Sequence, residues 1–258
     1  MAEIKEKRGL KFIDRDMIKY IIVFIMFWGH LFAWLSIGDT PPDGLFTDVP
    51  WWQWIPIRLS LITPPVIFFF VADGFRYTRS RKKYAVRLLI FGCITQIPYY
   101  LLWYPLYGWW NFNVIFSLFF GLLTLCAWES RFKKWQRIGL VILCCLGTLA
   151  IQSEWMVFAP VTILGLHIFR EKPVARFIWY ASVWVVQLVL TAVGFLSDGF
   201  SFVETATILL YAFDFLAAYA LMTVFYNGKK GRFPVFSKWF FYIFYPAHIL
   251  LAFILRQI

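Results

Sequence analysis

Five ionisable side chains interrupt long apolar runs of this sequence: His30, Arg58, Asp73, Asp214 and His248. Lys19 and Glu154 stand at the edges of such runs. An ionisable group inside an apolar span is costly and marks a functional site by default. His30 lies deep in IIVFIMFWGHLFAWL. An imidazole there can act as a general base near neutral pH, or simply hydrogen-bond to a neighbouring helix. Lys19 precedes His30 by 11 residues, just over three helical turns, so both project from nearly one face about 16 Å apart. A cation at the edge and a base in the depth suit a long, thin ligand with an anionic head. Acyl-coenzyme A has that shape, with phosphates at one end and a thioester at the other. Lys19 by itself reads equally well as a snorkelling anchor.

Arg58 could stabilise a developing oxyanion, or pair with Asp39, Asp43 or Glu154 near the outer surface. The segment DGFRYTRSRKKY opens with Asp73 and with Gly74, which allows a sharp turn where a helix leaves the membrane. Its cations, Arg76, Arg79, Arg81, Lys82, Lys83 and the following Arg87, could hold several phosphates or only anionic lipid. Tyr77 or Tyr84 could stack an adenine, although tyrosines are common at membrane edges. Asp214 sits in the middle of LLYAFDFLAAY, where it could orient His30, carry a proton or pair with Arg58. His248 follows Pro246, which should kink or interrupt its helix, and is open as a second base or a packing histidine. His167 reads as interfacial. Cys93, Cys126, Cys144 and Cys145 show no metal or disulfide spacing and read as small core residues; no metal site is expected.

The elements that must position these groups follow from the bulk composition. Of 258 residues, 61% are hydrophobic and only 15% charged, against about 25% charged in an ordinary soluble domain. That excludes a soluble enzyme, disorder and a secreted disulfide scaffold. The apolar runs are continuous, so the expectation is an all-α, polytopic membrane protein and not an outer-membrane barrel. Nine spans are predicted, at 17–37, 54–74, 86–104, 112–128, 137–152, 155–169, 176–196, 203–226 and 238–256. The fifth and sixth could instead form one re-entrant hairpin. The whole of 1–258 reads as a single membrane domain, with a basic amphipathic stretch at 1–16 and no cleavable signal peptide.

The net charge of +11 has a topological reading. With nine spans, all but Arg58 and Arg256 of the 25 basic residues fall on one side. Asp39, Asp43, Asp48, Glu154, Asp198 and Glu204 fall on the other. By the positive-inside rule the N-terminus is cytosolic and the C-terminus outside. The excess therefore speaks of a membrane and not of nucleic acid. The Pro-rich outer loop at 38–53, with Trp51 and Trp52, suits the interface.

Three blocks resemble the TraX family of membrane proteins, named for an enzyme that acetylates the N-terminus of a pilus subunit. They are PPVIFFFVADGFRYTRSRKKYAVRLLIFGCITQIPYYLL at 64–102, NVIFSLFFGLLTL at 113–125 and KWFFYIFYPAHILL at 238–251. The family is similar in turn to a wider group of transmembrane acyltransferases, which includes the acyltransferase type 3 enzymes and the lysosomal heparan glucosaminide N-acetyltransferase. The shared elements are a basic residue, ten intervening residues and a histidine on the first span, here Lys19 and His30, and a GF turn followed by basic residues, here FFFVADGF. The resemblance implies that His30 is catalytic and that the basic cytosolic segment helps to hold coenzyme A. Departures are clear. TraX-like sequences read DH where this chain has Gly29-His30, DYG where it has Glu154-Trp155-Met156, and GR where it has Ile57-Arg58.

The expected function is transfer of an acetyl or other short acyl group from cytosolic acyl-coenzyme A to an amine or hydroxyl. His30 would be the base, with Arg58 and Asp73 assisting. Lys19, Arg76, Tyr77, Arg79, Arg81, Lys82, Lys83, Tyr84 and Arg87 would bind the donor, with Asp214, His248 and Glu154 as accessories. The acceptor would be a peptide N-terminus or a glycan, in a bacterial cytoplasmic membrane. Two other readings stand beside it. One is a transporter of a small anion or lipid through the intramembrane polar residues. The other is a membrane partner that has lost activity with the acid beside His30.

Overall fold

The computed structural model describes residues 10–36, 50–107, 110–195 and 202–257. Within them the chain is helical almost throughout. The helices are α1 (Arg15–Ser36), α2 (Trp51–Leu59), α3 (Thr63–Tyr77), α4 (Arg81–Tyr107), α5 (Val114–Trp128), α6 (Lys134–Ala150), α7 (Phe158–Ile168), α8 (Pro173–Gly194), α9 (Phe202–Ala220) and α10 (Pro234–Arg256). A 3₁₀ turn at Ser60–Ile62 joins α2 to α3. A π-helical segment, Leu221–Phe225, extends α9.

Counted with those joins, the described residues form nine helical rods that coincide with the nine predicted segments. Six of them are long and apolar enough to cross a membrane by length and composition. Helices α5 and α7 are apolar but shorter. The eleven residues of α7 rise about 16 Å, roughly half a bilayer core. The 137–169 region is thus a long helix, a tight turn and a half-length helix. Lys5, Lys7, Arg8, Asp39, Asp43, Asp48, Asp198 and most of the outer loop lie outside the described residues.

Local chemistry sets several boundaries. Asn113 caps α5: its Oδ1 accepts the Ile115 N–H at 3.0 Å, while its Nδ2 donates to the Gly92 carbonyl and to Gln96 Oε1. Ser80 Oγ accepts the Lys83 N–H at the start of α4. Pro173 and Pro234 begin α8 and α10, where a missing N–H costs nothing. Two expectations need correction. Helix α3 does not turn at Gly74; it continues to Tyr77, and the break falls at Thr78–Ser80. Helix α10 is not interrupted at Pro246 but runs on as one element. Membrane helices tolerate an internal proline when neighbours satisfy the freed carbonyl.

Packing follows polarity inverted for lipid. Helix α7 is buried along most of its length, against α3, α5 and α8. The Phe-rich stretch of α3 (Phe68, Phe70, Val71, Ala72, Phe75) and the α5 stripe Leu118, Leu122, Leu125 share that core. Helices α6 and α8 instead expose Ile142, Leu143, Leu146, Val185, Val189 and Val193, as expected of surfaces that meet acyl chains. Near the site, α1 packs on α2, α3 and α10, and α10 packs on α4. Gly29 makes the α1–α2 approach possible. A Cβ there would lie 2.6 Å from the Pro56 carbonyl oxygen and against the Ser60 side chain. The space a side chain at this position would need, where TraX-like sequences hold aspartate, is here filled by the Pro56 carbonyl of α2 and the Ser60 side chain.

Candidate functional site

Helix α1 carries Arg15, Lys19, Met26 and His30 at spacings of whole helical turns, so they share a face. Helix α10 turns toward it a stripe at Pro234, Lys238, Phe241, Tyr245 and His248, again at three- and four-residue spacing. The two faces meet in an imidazole pair. His30 Nδ1 lies 3.1 Å from His248 Nε2, with ring centroids 5.4 Å apart and planes 17° from parallel. His248 Nδ1 lies 3.1 Å from the Phe244 carbonyl oxygen. The Phe244 ring stacks on His248 at 5.2 Å and 10°, and Trp34 touches both imidazoles, at 5.0 Å and 5.8 Å.

A cavity of about 510 Å³ opens toward this pair from the basic end. Its mouth carries Arg15, Lys19, Arg87, Lys230 and Lys238, with Asp16 the acidic member of the lining. Its inner part is lined by Met26, Ile115, Phe244 and Tyr245. The Lys19 ammonium lies between the rings of Phe70 and Phe241, 5.4 and 5.3 Å from their centroids. The histidines are not on the cavity wall. Phe244 and Tyr245, both in ring contact with His248, stand between them and the space.

The predicted site residues therefore separate into groups. Lys19, Tyr77, Tyr84 and Arg87 line the cavity. Arg76 lines a second, polar cavity of about 260 Å³ with Asp73, Arg170 and Arg176. Arg79, Lys82 and Lys83 are exposed, and Arg81 lies over the Phe75 ring at 4.2 Å. Asp73 is not brought to His30. It accepts the Tyr226 hydroxyl at 3.1 Å, at the Lys19 end of the molecule. Arg58 is buried over the Trp54 ring and interacts electrostatically with Tyr211 and Asp214. Asp214 is fully buried, and neither carboxylate oxygen has a hydrogen-bond partner among the described residues.

Glu154 occupies the turn between α6 and α7. Its Oε2 accepts the Val114 N–H at 2.9 Å, at the N-terminus of α5, and lies 3.5 Å from the Tyr245 hydroxyl. Burial pushes its carboxyl up, to about 7, against the pull of that N–H and of the Tyr99 and Tyr245 hydroxyls. Gln152, Trp155 and Met156 around it have left-handed backbone, with φ of 45°, 64° and 28°. Such strain in non-glycine residues clusters at functional sites. Among the described residues no group of three or more His, Cys, Asp or Glu side chains could hold a metal.

A family model described as TraX protein matches residues 14–256. The chain belongs to the TraX family. A probable fimbrial assembly protein FimC, serogroup H1, of Dichelobacter nodosus is 29% identical over 229 residues, covering 80% of this chain and 85% of that protein. No solved structure matches. As a member of the TraX family this is a multi-pass membrane protein, in keeping with its six candidate spans. Against the family pattern, Met156 adopts positive φ where DYG has glycine, and among the described residues no carboxylate adjoins His30.

Sequence reasoning missed Arg15, Lys230, Lys238, Trp34 and Tyr245. A signal existed for Arg15, one turn before Lys19, and for the α10 stripe that ends at His248. Trp34, one turn beyond His30, was hidden among 14 tryptophans, most of which suit a membrane interface.

Proposed function

We propose that this TraX-family protein is an acyl-coenzyme A-dependent acyltransferase, with acetyl-coenzyme A as donor and His30 as the reacting base. The observation that carries the reading is the cavity. It is cationic at its mouth, apolar inside, and bounded by Phe244 and Tyr245, whose rings touch His248 of the His30–His248 pair. Arg15, Lys19, Arg87, Lys230 and Lys238 would hold the donor's phosphates by charge-assisted hydrogen bonds. Tyr77 or Tyr84 would supply a face for the adenine. The acyl-pantetheine arm would lie along Met26 and Ile115. The axial distance from Lys19 to His30, about 16 Å, is one that an extended arm can cover. Phe244 and Tyr245 would have to shift rotamer for the thioester to reach the histidines.

In the reaction, the acceptor amine attacks the thioester carbonyl carbon. His30 takes the proton the nitrogen loses, the tetrahedral oxyanion collapses, the carbon–sulfur bond breaks, and the leaving thiolate takes that proton from the His30 imidazolium to give coenzyme A thiol. The basic end would face the cytosol by the positive-inside rule, where the donor is made. The acceptor we favour is the N-terminal amine of a membrane-anchored pilus-type subunit. Support comes from the enzyme that gives the family its name and from the fimbrial assembly relative.

The test is turnover by purified protein in lipid nanodiscs, with acetyl-coenzyme A and a peptide amine. Acetylated product should form and coenzyme A should be released. His30→Ala should reduce turnover by about 10² or more while leaving donor binding intact. Full turnover by His30→Ala would remove His30 from its role. Absence of donor binding, with anion flux through proteoliposomes, would favour the transport reading instead.

A further inference from the structure

A carbonyl oxygen has lone pairs and no proton, so a ring nitrogen hydrogen-bonded to it must be the donor. His248 Nδ1 sits 3.1 Å from the Phe244 carbonyl oxygen and therefore carries its N–H there. In a neutral imidazole the other nitrogen is then an acceptor. His248 Nε2 faces His30 Nδ1 at 3.1 Å, so His30 Nδ1 must supply the proton for that bond. The second proton-bearing site of a neutral His30 is thereby emptied. Its Nε2 holds a lone pair and has no hydrogen-bond partner among the described residues.

We propose that His248 is a positioning residue that locks His30 in its Nδ1–H tautomer and leaves Nε2 as the basic, reactive atom. Its catalytic half rests on the acyl-transfer reading; its tautomeric half does not. The packing makes the lock directional. Phe244 stacks almost parallel on His248, so the ring plane is held while the same residue's carbonyl takes the Nδ1 proton. Trp34 lies against both imidazoles and limits their rotation. No carboxylate among the described residues does this work. Glu154 is linked to the pair only indirectly: its carboxylate lies 3.5 Å from the Tyr245 hydroxyl, and the Tyr245 ring touches His248. Gly29 leaves no room for an acid beside His30 on α1.

The pair also changes character during proton transfer. When His30 Nε2 accepts the proton released by the acceptor amine, His30 becomes an imidazolium and its Nδ1–H bond to His248 becomes charge-assisted. That strengthens the bond when positive charge appears in an apolar surrounding, where it is hardest to hold. A neutral imidazole partner does this with no buried anion in the resting site, a different solution from an adjacent carboxylate. The same geometry serves an acyl-histidine route, since Nε2 is then the nucleophile.

The chain has three histidines, so the test can be spectroscopic. Full-length protein labelled with ¹⁵N-histidine is placed in nanodiscs, and each tautomer is read from two-bond ¹H–¹⁵N correlations. His30→Asn and His167→Asn supply the assignments. His30 and His248 should both show the Nδ1–H form. In His248→Phe, which keeps an aromatic ring, His30 should lose that form. In His248→Gln, whose amide oxygen can accept from His30, it should return. With acetyl-coenzyme A and an amine, His248→Phe should lower kcat by about 10² with the KM for donor little changed. His248→Gln should recover at least about tenfold of the loss, which tracks the tautomer. Retained donor binding shows that each variant is folded. An Nε2–H tautomer at His30 in the natural protein, or no change at His30 in His248→Phe, overturns the lock. Unchanged kcat in a His248→Phe protein whose His30 tautomer has changed overturns the catalytic half. Wild-type protein with both tautomers as expected but no acyl transfer sinks the acyl-transfer reading and leaves the lock standing.

Discussion

At the scale of single residues, the question left by the imidazole pair is what would receive the oxyanion. Arg58 fitted that role in the sequence, but its side chain lies over Trp54, in the field of Tyr211 and Asp214. The better-placed donor is the Trp34 indole. It is buried, its Nε1–H has no acceptor among the described residues, and its ring lies 5.0 Å from His30. A buried donor without a partner is costly, and a site where charge develops on substrate gives it a use. Trp34→Phe keeps a ring against His30 and removes only the N–H. On the acyl-transfer reading it should cut kcat by about 10²-fold at unchanged donor affinity, while Arg58→Gln should mainly lower thermal stability. Single-turnover kinetics and a melting curve separate the two. His30, Lys19 and His248 were each visible in the sequence, because a polar group in an apolar run stands out. Their pairing was not. His30 and His248 are 218 positions apart, and periodicity within a helix says nothing about which two helices touch.

At the scale of elements, hydropathy was a good guide and backbone chemistry a poorer one. The nine apolar segments correspond to nine rods because lipid demands that each backbone group be satisfied within its own helix. The turn allowed at Gly74 and the interruption expected at Pro246 are both missing for a shared reason. Glycine and proline permit a turn or a break but do not impose one: α3 runs through Gly74 to Tyr77, and α10 continues through Pro246 as one helix. Gly29 is the reverse case, where the absence of a side chain is required. Restoring the aspartate that TraX-like sequences carry should therefore not restore anything. Gly29→Asp should force α1 from α2 and destabilise the fold by at least the ~1–3 kcal/mol typical of overpacking. A lowered melting temperature in nanodiscs, with reduced turnover, is the expected result. A faster enzyme of unchanged stability would show that α2 yields and that the acid has a place after all.

At the scale of the molecule, the excess of basic residues resolves into three populations with different duties. The segments around 11–19, 76–87, 170–176 and 228–238 converge on two neighbouring cavities at one end, although they are far apart in sequence. The sequence marked this end by charge alone. It could not tell a cation that lines a cavity from one that faces solvent or lipid headgroups, since both obey the positive-inside rule. The structure makes the distinction residue by residue. Lys19, Arg87 and Lys238 line the larger cavity, Arg76 lines the smaller, and Arg79, Lys82 and Lys83 are exposed. Removing charge from the first group should weaken acetyl-coenzyme A binding by about tenfold or more per residue, because each charge-assisted phosphate contact is worth about 1.5–3 kcal/mol. The same change in Arg79, Lys82 and Lys83 should leave affinity within about twofold, since exposed charges act weakly and are screened by salt. Calorimetry on Lys19→Gln, Arg87→Gln and Lys238→Gln, beside a triple glutamine variant at 79, 82 and 83, compares the two groups directly. Equal losses in both would mean that the collar attracts the donor only as a diffuse field; binding would then fall steeply with salt in every variant and the cavity would have no special claim on the phosphates.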